Sequence, residues 1–231
     1  MISTNYLFKT KKSEETSRNN YLRRIALKQS IVKELYQHGE LSIFKLSQSV
    51  KMSTPTVTRA VEELIAEQLI REVGIGESTG GRRPSLFGIN PSSRYVLGVD
   101  LERSFVRMGI FDFLNNPVSE IHELNEGLDT HPDILQFIAE KVGELLLAYS
   151  IDESKMLGIG ISLPGLIDIK TGLSYTYLNT GKPAADILSE KTRMPVFIEH
   201  DTRAMAWGEQ AFGLAKGYQN VLCLNAGSGI G

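Results

Sequence analysis

Residues 74–84 read Gly74-Ile75-Gly76-Glu77-Ser78-Thr79-Gly80-Gly81-Arg82-Arg83-Pro84, a glycine-rich run that closes on two adjacent arginines. The segments on either side, 69–73 and 85–89, read as short strands, so the run is expected to be the tip of a hairpin. Glycines there let the backbone come close to a partner. Guanidinium groups suit a narrow minor groove, where negative potential is concentrated. Alone, the run equally fits a loop with solvated charges, and what precedes it decides.

Upstream, Leu27, Ile31 and Leu35 follow one another by four, and Ile25, Val32 and Tyr36 widen the stripe. This spacing predicts an amphipathic helix over 21–38, ended by Gly39 as a left-handed cap. A short second helix is expected after Ser42, a candidate N-cap, with Ile43, Leu46 and Val50 inward. A third opens on Ser53-Thr54-Pro55, where Ser53 suits the cap and Pro55 is tolerated in a first turn. Val57, Val61 and Leu64 give it a buried face. The three helices and the hairpin together predict a winged helix-turn-helix over 21–90. Ser53, Thr54, Thr56 and Arg59 then face outward at the leading end of the recognition helix, with Thr58 at the margin. Their hydroxyls and guanidinium suit phosphates and base edges in a major groove. With Arg82 and Arg83 on the wing, they are the candidate DNA-binding residues.

Charge agrees with that division. The 231 residues carry 25 Lys and Arg against 27 Asp and Glu, but unevenly. Residues 1–90 hold 14 basic and 9 acidic side chains, and residues 91–231 hold 11 and 18. A basic front on an acidic body points to a polyanionic partner for the front alone. The single cysteine, Cys223, excludes a disulfide framework and a cysteine-built metal cage. Apolar runs of about five residues are far below what a membrane span needs. The polar stretch 1–20 has no apolar signal segment and reads as a flexible arm of a cytoplasmic protein.

Asn90-Pro91-Ser92-Ser93 is polar punctuation and the expected boundary of a second domain, 91–231. It should hold three strands (95–101, 105–113, 118–124) and a helix over 132–149. After them come a strand over 157–163, a hairpin around Lys170-Thr171-Gly172, and a short helix over 184–193. A strand over 196–199, a helix through 204–212 and a last strand over 221–224 would complete it. This order is that of an α/β, ribonuclease-H-like (actin-like) first lobe. Cys223 would be a buried strand thiol, and His38, His122 and His131 surface or capping residues.

Five motifs stand in order: Gly80-Gly81-Arg82-Arg83-Pro84, Gly98-Val99-Asp100, Pro164-Gly165-Leu166-Ile167-Asp168, Pro195-Val196-Phe197-Ile198-Glu199-His200-Asp201 and Gly227-Ser228-Gly229-Ile230-Gly231. With them, residues 21–231 resemble the ROK family of repressors and sugar kinases, whose winged-helix members are transcriptional regulators. The resemblance implies an actin-like ATPase fold and a sugar pocket. An Asp matching Asp201 is the base in the family's kinases. A carboxylate can do that work within hydrogen-bond reach of the sugar hydroxyl. The same carboxylate also suits an N-cap for a helix beginning at Thr202.

The sugar-contacting set implied is Gly165, Asn179, Glu199, His200 and Asp201. Asn179 reads equally as a turn residue, and Gly165 allows close backbone approach. His200 and Arg203 stand where the family usually has Asn, so its usual sugar specificity does not carry over. Asp100 with Gly227 and Gly229 marks the phosphate loops, although the glycine loop also fits a plain turn. The first loop reads Asp100-Leu101-Glu102-Arg103-Ser104, with no glycine and an added carboxylate, which makes ATP an unexpected cofactor. The family's zinc motif has no counterpart here, so no metal ligand is assigned.

The chain ends inside a glycine loop and reads as a piece of a longer protein whose second lobe would complete the cleft and a homodimer interface. The expected function is a repressor of carbohydrate genes, with operator DNA and a sugar or sugar-phosphate effector as partners and no membrane. A sugar kinase with a DNA-binding head is the alternative, and a pure protein-interaction module the third.

Overall fold

Helices form where the apolar stripes place them. The computed structural model describes residues 15–77, 83–168, 171–178 and 180–226. It divides into two units, one holding the residues up to Arg94 with Asp112–Asn116, the other holding the rest.

In the first unit α1 (Glu15–His38) buries Ile31, Val32 and Leu35, and Gly39, at φ +74°, closes it by donating to Leu35 O at 3.0 Å. A two-residue strand, β1 (Leu41–Ser42), leads into α2 (Ile43–Ser49), which Ser42 caps by accepting from the Lys45 N–H at 3.3 Å. Next is α3 (Thr54–Ala66), with Val57, Ala60, Val61 and Leu64 buried and Pro55 in its first turn. The hairpin strands β2 (Ile70–Ile75) and β3 (Ser85–Ile89) pair antiparallel, with a bulge between Glu72 and Gly74. Sheet order is β1-β3-β2. Leu46, Leu69, Ile70, Phe87 and Ile89 join the helices in one core. Phe113, in the turn Asp112–Asn116, packs on that core, and its N–H donates to Pro91 O at 3.0 Å.

The second unit begins with β4 (Tyr95–Leu101), β5 (Val106–Asp112) and β6 (His122–Leu124), followed by α4 (Ile134–Ala148) and β7 (Met156–Leu163). The small hairpin β8 (Ile167–Asp168) and β9 (Leu173–Ser174) precedes α5 (Ala184–Thr192), β10 (Val196–His200) and α6 (Asp201–Phe212). The main sheet runs β10-β7-β4-β5-β6, with β10 and β4 parallel to β7 and β6 antiparallel to β5. Ile134, Ile138, Val142 and Leu145 of α4 and Leu188 of α5 share a core with Leu97, Val99, Ile159 and Ile161 of the strands.

Several expectations are corrected. The first helix starts at Glu15, inside the expected arm. The sequence of its opening turns is polar and carries no apolar stripe to announce a helix. Tyr36 is 44 % exposed, and its hydroxyl accepts from the Asn115 amide rather than lying in the core. The third strand of the lobe is only His122–Leu124. Residues 221–224 form no strand, and Cys223 is half-exposed there, because an apolar run with no hydrogen-bonded neighbour among the described residues makes no ladder. No residue of α6 is buried.

One ionic cluster joins α1 to α3. Arg24 donates from Nε to Glu63 Oε2 at 2.6 Å and places Nη2 2.5 Å from Oε1. Lys28, nearly buried, sets Nζ 3.1 Å from Glu63 and 2.5 Å from Glu67. Burial alone would raise the Glu63 carboxyl, but Arg24 and Lys28 outweigh it and hold it below its ordinary 4.5. A carboxyl depressed by folding stabilises the fold above its unfolded value and loses that contribution as pH falls through the folded one. Glu63→Gln is therefore expected to cost about 1–2 kcal/mol at neutral pH by urea denaturation. The gap to the parent should close in acid below the folded value, and a gap independent of pH would refute the ionic account.

Candidate functional site

Two faces gather the candidate residues, one in each unit. On the first, Ser53, Thr54, Thr56 and Arg59 are all exposed at the leading end of α3. No acidic residue occupies the first turn, so the positive end of the helix dipole is left for an anion. Ser53 Oγ and Thr56 Oγ1 lie 2.8 Å apart, so Ser53 occupies the cap position but turns its hydroxyl to Thr56 instead of a backbone N–H. Thr58 donates to Thr54 O at 2.9 Å and is turned inward by it. Arg59 is 80 % exposed, with Nε 3.6 Å from Glu63 Oε1. At the base of the wing the Gly76 N–H donates to Pro84 O at 2.8 Å, and Arg83 is exposed. Arg82 lies outside the described residues.

On the second face, parallel pairing brings the carboxyl ends of β4, β7 and β10 side by side. Asp100 is opposite Ser162, and Ser162 is opposite Glu199, so the three form one polar row. Ser162 Oγ donates to Asp100 Oδ1 at 2.6 Å. One residue on, His200 ends β10 as the N-cap of α6 without a side-chain cap bond. Asp201 stands in the first turn, where its Oδ1 accepts from the Thr202 N–H and, at 3.1 Å, the Thr202 hydroxyl. His200 Nδ1 is 2.9 Å from Asp201 Oδ1, and Arg203 Nε is 3.1 Å from Glu199 Oε1. Glu199, His200 and Asp201 thus sit together at the sheet edge where such folds hold ligands.

Gly165 is explained from within the chain. Its φ is +92°, and a Cβ there would lie 2.8 Å from Thr176 Cβ, whose hydroxyl accepts from the Leu166 N–H at 2.9 Å. The close approach it permits is that of Thr176. Asn179, Gly227 and Gly229 lie outside the described residues. His131 caps locally, its Nδ1 accepting from the Asp133 N–H at 3.2 Å; His122 meets the Tyr149 hydroxyl at 3.3 Å, and His38 lies 3.7 Å from Glu34.

Sequence reasoning missed Ser162 and Arg107. The first is the one hydroxyl in an otherwise apolar strand, a signal that was present. Arg107 Nη1 lies 3.8 Å from Asp100 and its Nε donates to Glu123 at 2.8 Å, pairings that only strand register brings about.

The loop after β4 carries Glu102 beside Asp100, with Arg107 offsetting part of their charge. Burial, and then the carboxylates of Asp100 and Asp201, raise Glu102 above its ordinary value. Carboxylates that already disfavour one another would meet a nucleotide's phosphates with like charge. Among the described residues no cluster of His, Cys, Asp and Glu is arranged to hold a metal ion, and no helix is long and apolar enough to cross a membrane.

The chain thus joins a winged helix-turn-helix to part of an actin-like lobe with a polar sheet edge. Residues 96–231 match the ROK family and residues 26–71 a winged helix-turn-helix DNA-binding domain; the chain belongs to the ROK family. It is 30 % identical over 205 residues to the xylose repressor of Bacillus subtilis (strain 168), covering 87 % of this chain and 53 % of that protein. It is 29 % identical over 143 residues to a glucokinase of Halalkalibacterium halodurans, covering 61 % and 43 %. A ROK family transcriptional regulator, a homolog of the E. coli MLC protein, shares its fold at a TM-score of 0.63 and 21 % identity, over 83 % of this chain and 49 % of that one. The chain spans about half the length of the curated relatives it matches.

A carboxyl raised by folding stabilises the fold when protonated, and that contribution is lost as pH rises through the folded value. Glu102→Gln is therefore expected to raise the melting temperature at neutral pH. The advantage should vanish below the ordinary 4.5, where the parent's side chain is protonated folded and unfolded. A variant that melts lower at neutral pH would show that the Glu102 charge is compensated.

Proposed function

We propose that the protein is a sugar-responsive transcriptional repressor that binds operator DNA as a cytoplasmic homodimer and does not phosphorylate its sugar. The observation that carries this reading is the joining of a winged helix to a ROK lobe whose sheet edge gathers Glu199, His200 and Asp201 and whose loop after β4 adds the Glu102 carboxylate. Ser53, Thr54, Thr56, Arg59, Arg82 and Arg83 would contact DNA. Glu199, His200 and Asp201, with Asn179, would contact the sugar. Arg203, already paired with Glu199, would orient that carboxylate.

With His200 beside Asp201 and Arg203 beside Glu199, the edge suits a sugar or a sugar phosphate. The similarity to a xylose repressor makes xylose the first to test. Binding would act by population shift: a sugar favouring one arrangement of the lobe lowers the share of molecules able to engage both half-sites of an operator.

Asp201→Asn is expected to weaken sugar binding about ten- to hundredfold, since a charged hydrogen bond is worth about 1.5–3 kcal/mol. Calorimetry of the whole protein with xylose reads this, beside an operator gel shift that should hardly change without sugar. Sugar-dependent ATP turnover, abolished by the same substitution, would establish the kinase instead.

On the wing, Arg82→Ala with Arg83→Ala should flatten the salt dependence of DNA binding, each lost phosphate contact lowering the log–log slope by about 0.9. An unchanged slope and affinity would remove the wing from the interface.

A further inference from the structure

Beside the leading end of α3 lies a groove of about 620 Å³ that runs from the recognition residues Thr56 and Arg59 across to α1. One wall is α1, through Arg23, Arg24 and Leu27; the other is the start of α3 with Met52 before it. Leu27, Met52 and Pro55 give it an apolar floor, and Arg23 and Arg59 give it an exposed basic rim. Arg23 precedes the stretch that matches the winged helix-turn-helix domain, residues 26–71.

The charges in this groove are unequally committed. Arg24 meets both oxygens of Glu63, and Lys28 adds a third contact to the same carboxylate. Glu63 is the groove's acidic group, and those two cations satisfy it. Arg59, one helical turn before Glu63, reaches it only at 3.6 Å and keeps 80 % of its side chain in solvent. Arg59 can leave Glu63 without stranding an unpaired buried charge. Arg23 is exposed on the opposite wall. The ionic cluster thus fixes the groove's width while leaving two guanidinium groups for an incoming anion.

An apolar floor under a basic rim matches one ligand chemistry well, a deoxyribose–phosphate strand. The sugar packs on Leu27, Met52 and Pro55, and the phosphate takes hydrogen bonds from the guanidinium groups. The groove also adjoins Thr56, at the end of α3 that would enter a major groove, where the flanking DNA backbone must pass.

We propose that the groove between α1 and α3 is a seat for one strand of the DNA backbone, with Arg23 and Arg59 as its phosphate clamp. This rests on the DNA-binding reading above and adds α1 to the surface that reading assigns to α3 and the wing. Contacts of this kind hold the protein in register on the duplex and carry no base sequence.

The test is fluorescence anisotropy of the 231-residue chain on a mixed-sequence DNA duplex across a salt titration. Arg23→Ala should weaken binding at low salt and lower the log–log salt slope by about 0.9, with Arg59→Ala on the same background lowering it further. Arg23→Lys should restore the slope, because counterion release follows charge. Circular dichroism melts should match the parent, since Arg23 is exposed. An Arg23→Ala slope equal to the parent's would overturn the proposal and leave the DNA-binding reading standing. An unsubstituted chain that fails to bind the duplex at low salt would overturn both. A loss confined to one operator sequence, absent on the mixed duplex, would make Arg23 a base reader and also refute the clamp.

Discussion

The ladders that β7 shares with β4 on one side and β10 on the other determine what the second unit can present. All three strands run the same way, so their carboxyl ends reach one edge, and register sets Asp100, Ser162 and Glu199 in line. Single ladder bonds contribute only about 1 kcal/mol each. Their larger consequence is geometric. A slip by one residue would turn Ser162 to the other face of the sheet and break the row. The buried side chains of β7, Ile159, Ile161 and Leu163 among them, oppose such a slip because it would expose them.

The first unit is organised by charge as well as by packing. Its helices share an ordinary apolar core, yet the side chains that tie α1 to α3 are ionic and lie far apart in sequence. Buried ion pairs are poor sources of net stability, because desolvation consumes much of what attraction returns. Their effect here is to fix an angle and a distance. Apolar faces tolerate sliding, whereas a carboxylate held by a two-pronged guanidinium and a buried ammonium does not.

Much of this was legible in the sequence where a local rule governed it. The stripes of α1 and α3, the Ser42 cap, the Gly39 terminus and the strands β3 and β4 follow from periodicity and from turn chemistry, which act over a few residues. The edge carrying Glu199, His200 and Asp201 was found because a strand runs directly into a helix there. What was misread depended on distant partners. Residues 221–224 have the composition of a strand but pair with none among the described residues. The space beside Gly165 is taken by Thr176, eleven residues on, a neighbour that no local pattern shows. Lys28 and Glu63 are separated by 35 positions and give no local sign of their contact. Arg107 finds Asp100 only through the sheet.

The bare length of α6 has a mechanical meaning. The helix springs from Asp201, beside the polar row, and exposes Trp207 at 59 % and Phe212 at 66 %. Twelve residues make a rod of about 18 Å, so a tilt of about 10° at its root carries the far end through about 3 Å. With its root set beside the polar row, α6 has the geometry of a lever: a rearrangement there too small to break any strand would displace the far end by the width of a side chain.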